Sequence, residues 1–203
     1  MKNITQISMQ THSDKHCNIY LDGAYYCSLR LETVVENRLK VGQEISTEKL
    51  DEIQISSLYT HALDKAMGLL SKSSKTEKQV RDYLQKKGFT LSLCDKVIEK
   101  LKEYRFVNDE FYAENYVECY KSKKGRYLIE RELKLKGCGE EVIKKALENV
   151  EEDADSAYEI AVKFLKGKER DKKTLSSAYR KLLSKGYGYD TCNEVLDRIK
   201  DEE

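Results

Sequence analysis

The chain has 203 residues, of which 37 are basic and 36 acidic, and its net charge is +1. The net charge therefore gives no argument for nucleic-acid binding, and any basic surface that could bind nucleic acid must be local. With 39% hydrophobic and 36% charged residues, it favours several small bundles over one thick globule. Proline, the strongest helix breaker, is absent, which predicts a mainly helical protein.

The first residues, Met1–Gln10, lack the apolar core of a signal peptide. No run of about 18 apolar residues follows that could span a membrane. We therefore expect a cytoplasmic protein without a membrane partner.

Residues 18–27 predict a β-hairpin, because two strand-forming runs flank Asp22-Gly23, a pair typical of tight turns. A two-residue turn would pair Ile19 with Tyr26. Cys27 would then face the opposite side from Cys17, since side chains alternate along a strand, and a disulfide across the hairpin is not expected.

The rest of the amino-terminal segment predicts shorter elements. A short helix is expected over Leu31–Leu39 and a short strand over Val41–Ile45. Thr47 is expected to cap a helix whose length the sequence leaves open and which can run on into the next segment.

An internal repeat dominates residues 57–203. Three helix ends share a Leu-x-x-Lys-Gly pattern, and their glycines, Gly88, Gly137 and Gly186, are 49 residues apart both times. Apolar residues recur 6, 10 and 13 positions after each glycine, which is the spacing of one helical face. Glycine takes the left-handed conformation readily, so each is predicted to end one helix before a second folds back on it.

Each repeat also carries an earlier helix, expected at about Leu58–Leu70, after the Asn108-Asp109 cap, and at about Ala157–Leu165. Thr76–Gln79 is typical of a capping box at the start of the helix that Gly88 closes. We therefore predict a mainly α protein of three tandem three-helix, helix-turn-helix-like repeats with a small N-terminal β-hairpin extension. The predicted boundaries are 1–55 for the extension and 57–105, 106–154 and 155–203 for the repeats.

The chemistry-bearing residue types do not form a recognisable site. The six cysteines contain no C-x-x-C pair, and the histidines are not spaced to complete a zinc site. Cys94, Cys138 and Cys192 fall on apolar positions of the repeat and are expected to be buried. Because phosphate-binding glycine loops and G-x-S-x-G or H-E-x-x-H motifs are missing, we predict a non-enzymatic binding protein without metal or cofactor.

Basic residues concentrate on the helix before each glycine. Such a stripe could meet phosphates or an acidic protein groove, whereas plain solvation, with lysines favouring the helix C-terminus, is the alternative. Tyrosines such as Tyr127 could add anchor contacts or be packed inside. The candidate partner-binding residues are Arg81, Lys86, Lys87, Lys123, Lys124, Arg126, Arg131, Lys134, Lys136, Arg180 and Lys185.

Three helices with a sharp turn also describe the helix-turn-helix DNA module, in which the helix after each glycine would enter the major groove. Those helices begin with Thr90–Leu93, Gly139–Glu141 and Gly188–Asp190, which are neutral or acidic. Major-groove recognition by these helices is therefore not expected.

The middle repeat carries a family resemblance. Residues 104–117, Tyr-Arg-Phe-Val-Asn-Asp-Glu-Phe-Tyr-Ala-Glu-Asn-Tyr-Val, resemble the RecX pattern of an aromatic-apolar-Asp turn followed by Phe-Ala and Tyr-Val on a helix. Lys124–Arg126 and Glu132–Gly137 are similar to the family's Gly-Arg and Glu-Leu-x-x-Lys-Gly elements. Leu70–Glu77 resembles its Leu-x-x-Arg-x-x-Ser-Glu entry, with Lys72 where arginine is common. An extra residue, Tyr112, separates Phe111 from Ala113.

The resemblance, which covers residues 57–203, implies an elongated, curved solenoid of three-helix units. It further implies a monomeric regulator of recombination, DNA repair and the SOS response. Such a regulator lodges in the groove of the RecA filament on single-stranded DNA and inhibits its ATPase, strand-exchange and co-protease activities. Direct contact with single- or double-stranded DNA would be weak. A direct nucleic-acid binder using lysine and arginine stripes, or a scaffold for another partner, remains the alternative.

Overall fold

The computed structural model describes residues 1–10 and 13–201. Two compact units divide the chain, one formed by Met1–Leu69 with Leu84–Val97 and the other by Leu70–Tyr83 with Ile98–Glu203. The strands are β1 (Lys2–Gln10), β2 (Ser13–Leu21), β3 (Ala24–Arg30) and β4 (Glu44–Ile45). The helices are α1 (Leu31–Glu36), α2 (Thr47–Leu70), α3 (Glu77–Lys86), α4 (Leu91–Glu103), α5 (Asp109–Tyr120), α6 (Arg126–Lys136), α7 (Glu140–Leu147), α8 (Ala154–Leu165), α9 (Lys172–Ser184) and α10 (Tyr189–Asp201).

The first unit contains an antiparallel sheet in the order β3-β2-β1-β4. The predicted hairpin is present as β2 and β3, and its turn residues Asp22 and Gly23 both have positive φ, as a type I′ turn requires. Strand β1 was not expected from the sequence. It pairs along most of β2, and its other edge pairs with β4, which is the expected short strand reduced to Glu44–Ile45.

The predicted register of the hairpin is wrong beyond its first two residue pairs. A β-bulge makes Tyr26 the extra residue on β3, so that Ile19 pairs with Cys27 instead. A slip of one residue exchanges the faces of a strand, and Cys27 therefore lies on the same buried face as Cys17. Cys17 pairs across the strands with Leu29. The thiols of Cys17 and Cys27 are both free.

Helix α2 covers the sheet with its first turns. Leu50 and Ile53 join a core that includes Ile4 and Ile19 from the strands. The helix begins at Thr47 and runs for 24 residues, so it contains the helix expected at 58–70. The helix expected over 31–39 is shorter and ends at Glu36.

Helices α5, α6 and α7 pack against one another in pairs, and so do α8, α9 and α10. The leucines four residues before each repeat glycine, Leu84, Leu133 and Leu182, are all fully buried. Cys94, Cys138 and Cys192 are buried as predicted. The mainly α class with three-helix repeats and an N-terminal β element is confirmed, while the exact repeat boundaries remain a prediction. Within the described residues, no helix is long and apolar enough to cross a membrane.

Local sequence signals set several helix ends as expected, but the predicted cap of α2 is wrong, because Ser46 and not Thr47 accepts the Lys49 amide. Gly88, Gly137 and Gly186 have φ of 89°, 92° and 86°, the left-handed conformation of a helix stop. The Asn108 side chain accepts a hydrogen bond from the Phe111 amide and caps α5. The capping box is confirmed, because the Thr76 amide donates to Gln79 Oε1 and the Gln79 amide donates to Thr76 Oγ1, both at 3.2 Å.

Candidate partner-binding surface

The middle helix of a repeat begins against the glycine turn of the next repeat. Thr76, just before α3, donates from its hydroxyl to the Lys136 carbonyl at 2.6 Å. Gly125, 49 residues after Thr76, donates from its amide to the carbonyl of Lys185, 49 residues after Lys136, at 2.9 Å. The two junctions are thus equivalent, and each satisfies a carbonyl at the end of a helix.

Close approach at the second junction explains why glycine is required there. A Cβ at Gly125 would lie 2.2 Å from the carbonyl carbon of Gly186, and a Cβ at Gly186 would lie 2.3 Å from Leu128 Cβ. At the first junction, a Cβ at Gly137 would meet the Lys78 side chain at 2.4 Å. Sequence reasoning treated Gly137 and Gly186 only as helix stops and missed this second role, which Gly88 does not share because nothing lies within 4 Å of a Cβ there.

Lys124, a candidate binding residue, is held inside its own repeat. Its ammonium group lies 2.6 Å from Glu132 Oε2 and 3.9 Å from the centre of the Tyr120 ring. The Tyr116 hydroxyl donates to the same carboxylate oxygen at 2.6 Å. Burial raises the pKa of Glu132, but the hydrogen bonds from Lys124 and Tyr116 outweigh burial, and the net pKa is lowered.

Arg126 is also engaged internally. Its guanidinium donates to the carbonyl of Leu147, the last residue of α7, at 2.9 Å, and to the Val150 carbonyl at 3.5 Å. The arginine thereby caps the carboxyl end of α7. Lys124 and Arg126 thus make structural contacts that the sequence did not indicate.

Several other candidates form surface pairs on their own helices. Arg81 lies 2.8 Å from Glu77, and Lys134 lies 2.8 Å from Glu130. The Arg180 Nε donates to the Ser176 carbonyl at 3.3 Å. Lys136 and Lys185 are half-buried, and their carbonyls complete the two junctions.

The remaining candidates are exposed to solvent, and they are Lys86, Lys87, Lys123 and Arg131. Arg131 lies on α6 and forms no ion pair or hydrogen bond with the described residues. Two large exposed side chains flank it on the same helix, Tyr127 with 64% and Leu135 with 73% of its surface exposed. Sequence reasoning missed Leu135, although its position two residues after the buried Leu133 places it off the core face.

The described residues contain no group of three or more His, Cys, Asp or Glu side chains that could hold a metal ion. The exposed candidates on the second unit are the cations Lys123 and Arg131, and Tyr127 and Leu135 lie on the same helix as Arg131.

Family models match three stretches of the chain. Residues 2–46 match the regulatory protein RecX N-terminal domain. Residues 62–101 match the first three-helix domain of RecX, and residues 108–147 match the second.

Whole relatives are similar over nearly the entire length of this chain. Regulatory protein RecX from Clostridium perfringens strain 13 is 35% identical over 209 residues, which covers 100% of this chain and 99% of that protein. The Clostridium beijerinckii protein of the same name is 35% identical, and the match covers 98% of this chain and 96% of that protein. The Bacillus pumilus protein is 31% identical, and the match covers 99% of this chain and 79% of that protein.

Two solved structures share the fold. A crystal structure of regulatory protein RecX superposes with a TM-score of 0.70 at 23% identity, covering 97% of this chain and 100% of that one. RecX from Lactobacillus salivarius gives a TM-score of 0.63 at 23% identity, covering 70% of this chain and 96% of that one.

Proposed function

Because the chain belongs to the RecX family of regulatory proteins, we propose that it binds the RecA filament on single-stranded DNA and inhibits it. The inhibited activities are ATP hydrolysis, strand exchange and co-protease action. The observation that carries this proposal is the similarity to a regulatory protein over 100% of the chain. Under this proposal the chain acts as a non-enzymatic cytoplasmic monomer.

The geometry of the second unit supports a binding role. Within this unit, hydrogen bonds at Thr76–Lys136 and Gly125–Lys185 tie the start of one helix to the end of another. A repeat protein built in this way offers a series of pre-arranged surfaces to one extended partner. Exposed residues such as Lys123 and Arg131 remain available for contacts outside the chain.

Inhibition follows if the chain prefers one state of the filament. A ligand shifts an assembly equilibrium only by its differential affinity for the two states. Binding between neighbouring filament subunits in a state that cannot add or exchange subunits would slow every activity that depends on filament growth. One bound chain could then affect many subunits, which makes substoichiometric inhibition the expected behaviour.

The deciding experiment measures RecA ATPase on single-stranded DNA while the chain is added below the RecA concentration. The expected result is a progressive loss of ATPase, with the chain pelleting together with the filaments. Samples with DNA alone should leave the chain in the supernatant. A full ATPase rate combined with no co-sedimentation would remove the proposal.

Direct nucleic-acid binding is the second candidate, and the exposed cations Lys86 and Lys123 favour it. Phosphate binding predicts affinity for bare DNA that falls steeply as salt rises, because each neutralised phosphate releases counterions. The double substitution Lys86→Ala with Lys123→Ala should then flatten the salt dependence. Filament recognition predicts a requirement for RecA at every salt concentration.

A further inference from the structure

We propose that Tyr127, Arg131 and Leu135, the α6 row, anchor the chain on a protein surface that offers an apolar cleft beside a carboxylate. The inference rests on the proposed function, in which this surface belongs to a RecA subunit of the filament. Of these three residues, only Arg131 was among the candidate binding residues predicted from the sequence.

The three side chains form one line along α6. Residues four and eight apart lie on the same face of a helix, one above the other. The opposite face carries Ile129 and Leu133, which are fully buried. Tyr127 and Leu135 therefore face solvent outside the core of the repeat, and most of the surface of each side chain is exposed, although the Tyr127 ring borders Gly188.

The other two repeats show what these positions look like when they are solvated. Shifting the row by 49 residues in either direction gives the equivalent positions on α3 and α9. All six of them are polar or charged and exposed or half-exposed: Lys78, Asp82 and Lys86 on α3, and Ser176, Arg180 and Ser184 on α9. An aromatic and an aliphatic side chain at this row are thus a feature of the middle repeat, and exposed apolar side chains grouped with arginine are typical of protein interfaces.

Charge around the row selects the partner. Lys134 and Glu130 neutralise each other at 2.8 Å on the neighbouring helical positions. Arg131 forms no ion pair with the described residues, so its guanidinium is available to an external anion. Arginine binds carboxylates through two parallel hydrogen bonds, which fits an acidic side chain at the edge of an apolar cleft.

A protein partner fits these residues better than nucleic acid does. The methyl groups of Leu135 offer nothing to a phosphate and cannot stack on a base as an aromatic ring can. Near Tyr127, the Glu152 carboxylate accepts the Gly188 amide at 2.8 Å, and a Cβ on Gly188 would touch both Glu152 and the Tyr127 ring. The Glu152 carboxylate would therefore repel a phosphate backbone that followed the row past Tyr127.

The substitution Leu135→Lys introduces the residue found at the equivalent position of the first repeat, Lys86. It distinguishes binding to a protein from binding to nucleic acid. On a protein cleft, the buried ammonium group is expected to weaken binding to RecA filaments about tenfold or more. On a phosphate backbone, the added cation would tighten binding. Leu91→Lys is the matched control, since Leu91 is 61% exposed and lies outside the row, and it should bind like the unchanged chain.

Tyr127→Ser, which copies the third repeat, provides a second variant that adds no charge. It is expected to weaken filament binding by a similar factor, with the melting temperature of both variants near that of the unchanged chain because neither side chain is buried. Binding is measured by fluorescence anisotropy of the labelled chain on preformed RecA filaments and on bare single-stranded DNA.

The outcomes are distinct. If the unchanged chain binds filaments and both variants bind tenfold more weakly, the inference stands. If the variants bind filaments as well as the unchanged chain, or if Leu135→Lys binds bare DNA and filaments more tightly, the row does not contact protein and the inference fails alone. If the unchanged chain does not bind filaments, the proposed function and the inference both fail.

Discussion

The Thr76 hydroxyl donates a 2.6 Å hydrogen bond to the Lys136 carbonyl and ties the start of α3 to the end of α6. The same hydroxyl oxygen accepts the Gln79 amide, so one side chain closes a capping box and a junction between repeats. Thr76 is fully buried, so a valine would fill the same space but could neither donate to the Lys136 carbonyl nor accept the Gln79 amide.

Thr76→Val is therefore expected to lower the free energy of unfolding by about 2–3 kcal/mol, the combined cost of a lost cap and an unpaired buried carbonyl. Chemical denaturation followed by circular dichroism measures the change. Thr60→Ala, at an exposed position within α2, is the control and should shift stability by less than about 0.5 kcal/mol. If the two substitutions lower stability equally, the Thr76 hydrogen bond to Lys136 does not contribute to stability.

Gly125→Ala tests the close approach of the second junction. The new methyl group would meet the Gly186 backbone at 2.2 Å, and we expect a loss of about 3 kcal/mol or more. Gly139→Ala is matched to it, since both glycines precede a helix with extended backbone but nothing lies within 4 Å of a Cβ at Gly139. The control should lose only about 1 kcal/mol as a poorer helix cap. The prediction is wrong if both variants unfold at the same denaturant concentration.

Glu132 gives the stability of the middle repeat a dependence on pH. Its pKa is lowered in the folded chain, so its stabilisation is complete above the ordinary carboxyl pKa and is lost as the pH falls through the lowered value. Glu132→Gln should cost about 1.5–3 kcal/mol at pH 7 through its weakened hydrogen bonds with Lys124 and Tyr116. The difference from the unchanged chain should shrink towards pH 3, as measured by denaturant titrations at each pH.

Glu99→Gln is the control for this pH series, because Glu99 is exposed and has no hydrogen bond or ion pair with the described residues. We expect it to follow the unchanged chain from pH 7 to pH 3. A constant difference between Glu132→Gln and the unchanged chain over this range would show that the Glu132 charge does not contribute.

Thiol reactivity should distinguish one cysteine from the other five. Cys119 is exposed, whereas the rest are buried, and burial raises the pKa of Cys27, Cys138 and Cys192 to about 11. Since the thiolate is the reactive form, an aromatic disulfide reagent at pH 8 should modify one thiol quickly in the native chain and six after denaturation. Cys119→Ser should abolish the fast phase, and a fast phase of several thiols would contradict the buried positions.

Local signals made the helical part of the fold predictable. The positions of Gly88, Gly137 and Gly186, the Thr76–Gln79 capping box and the Asn108 cap act within one or two helical turns. Each of them was assigned correctly because its chemistry is complete within a few consecutive residues.

The bulge at Tyr26, the pairing of β1 and the internal partners of Lys124 and Arg126 were decided only by the tertiary structure. Strand register depends on which segment lies alongside, and a cation at a predicted binding position becomes structural only when folding brings a carboxylate or a helix end to it. The sequence by itself determined the glycine-terminated helix ends, the caps at Thr76 and Asn108 and the apolar face of the repeat helices, since these depend on neighbours along the chain. Contacts between segments tens of residues apart decided the rest. They determined which cations of α6 remain exposed and at which glycines another segment approaches too closely for a Cβ.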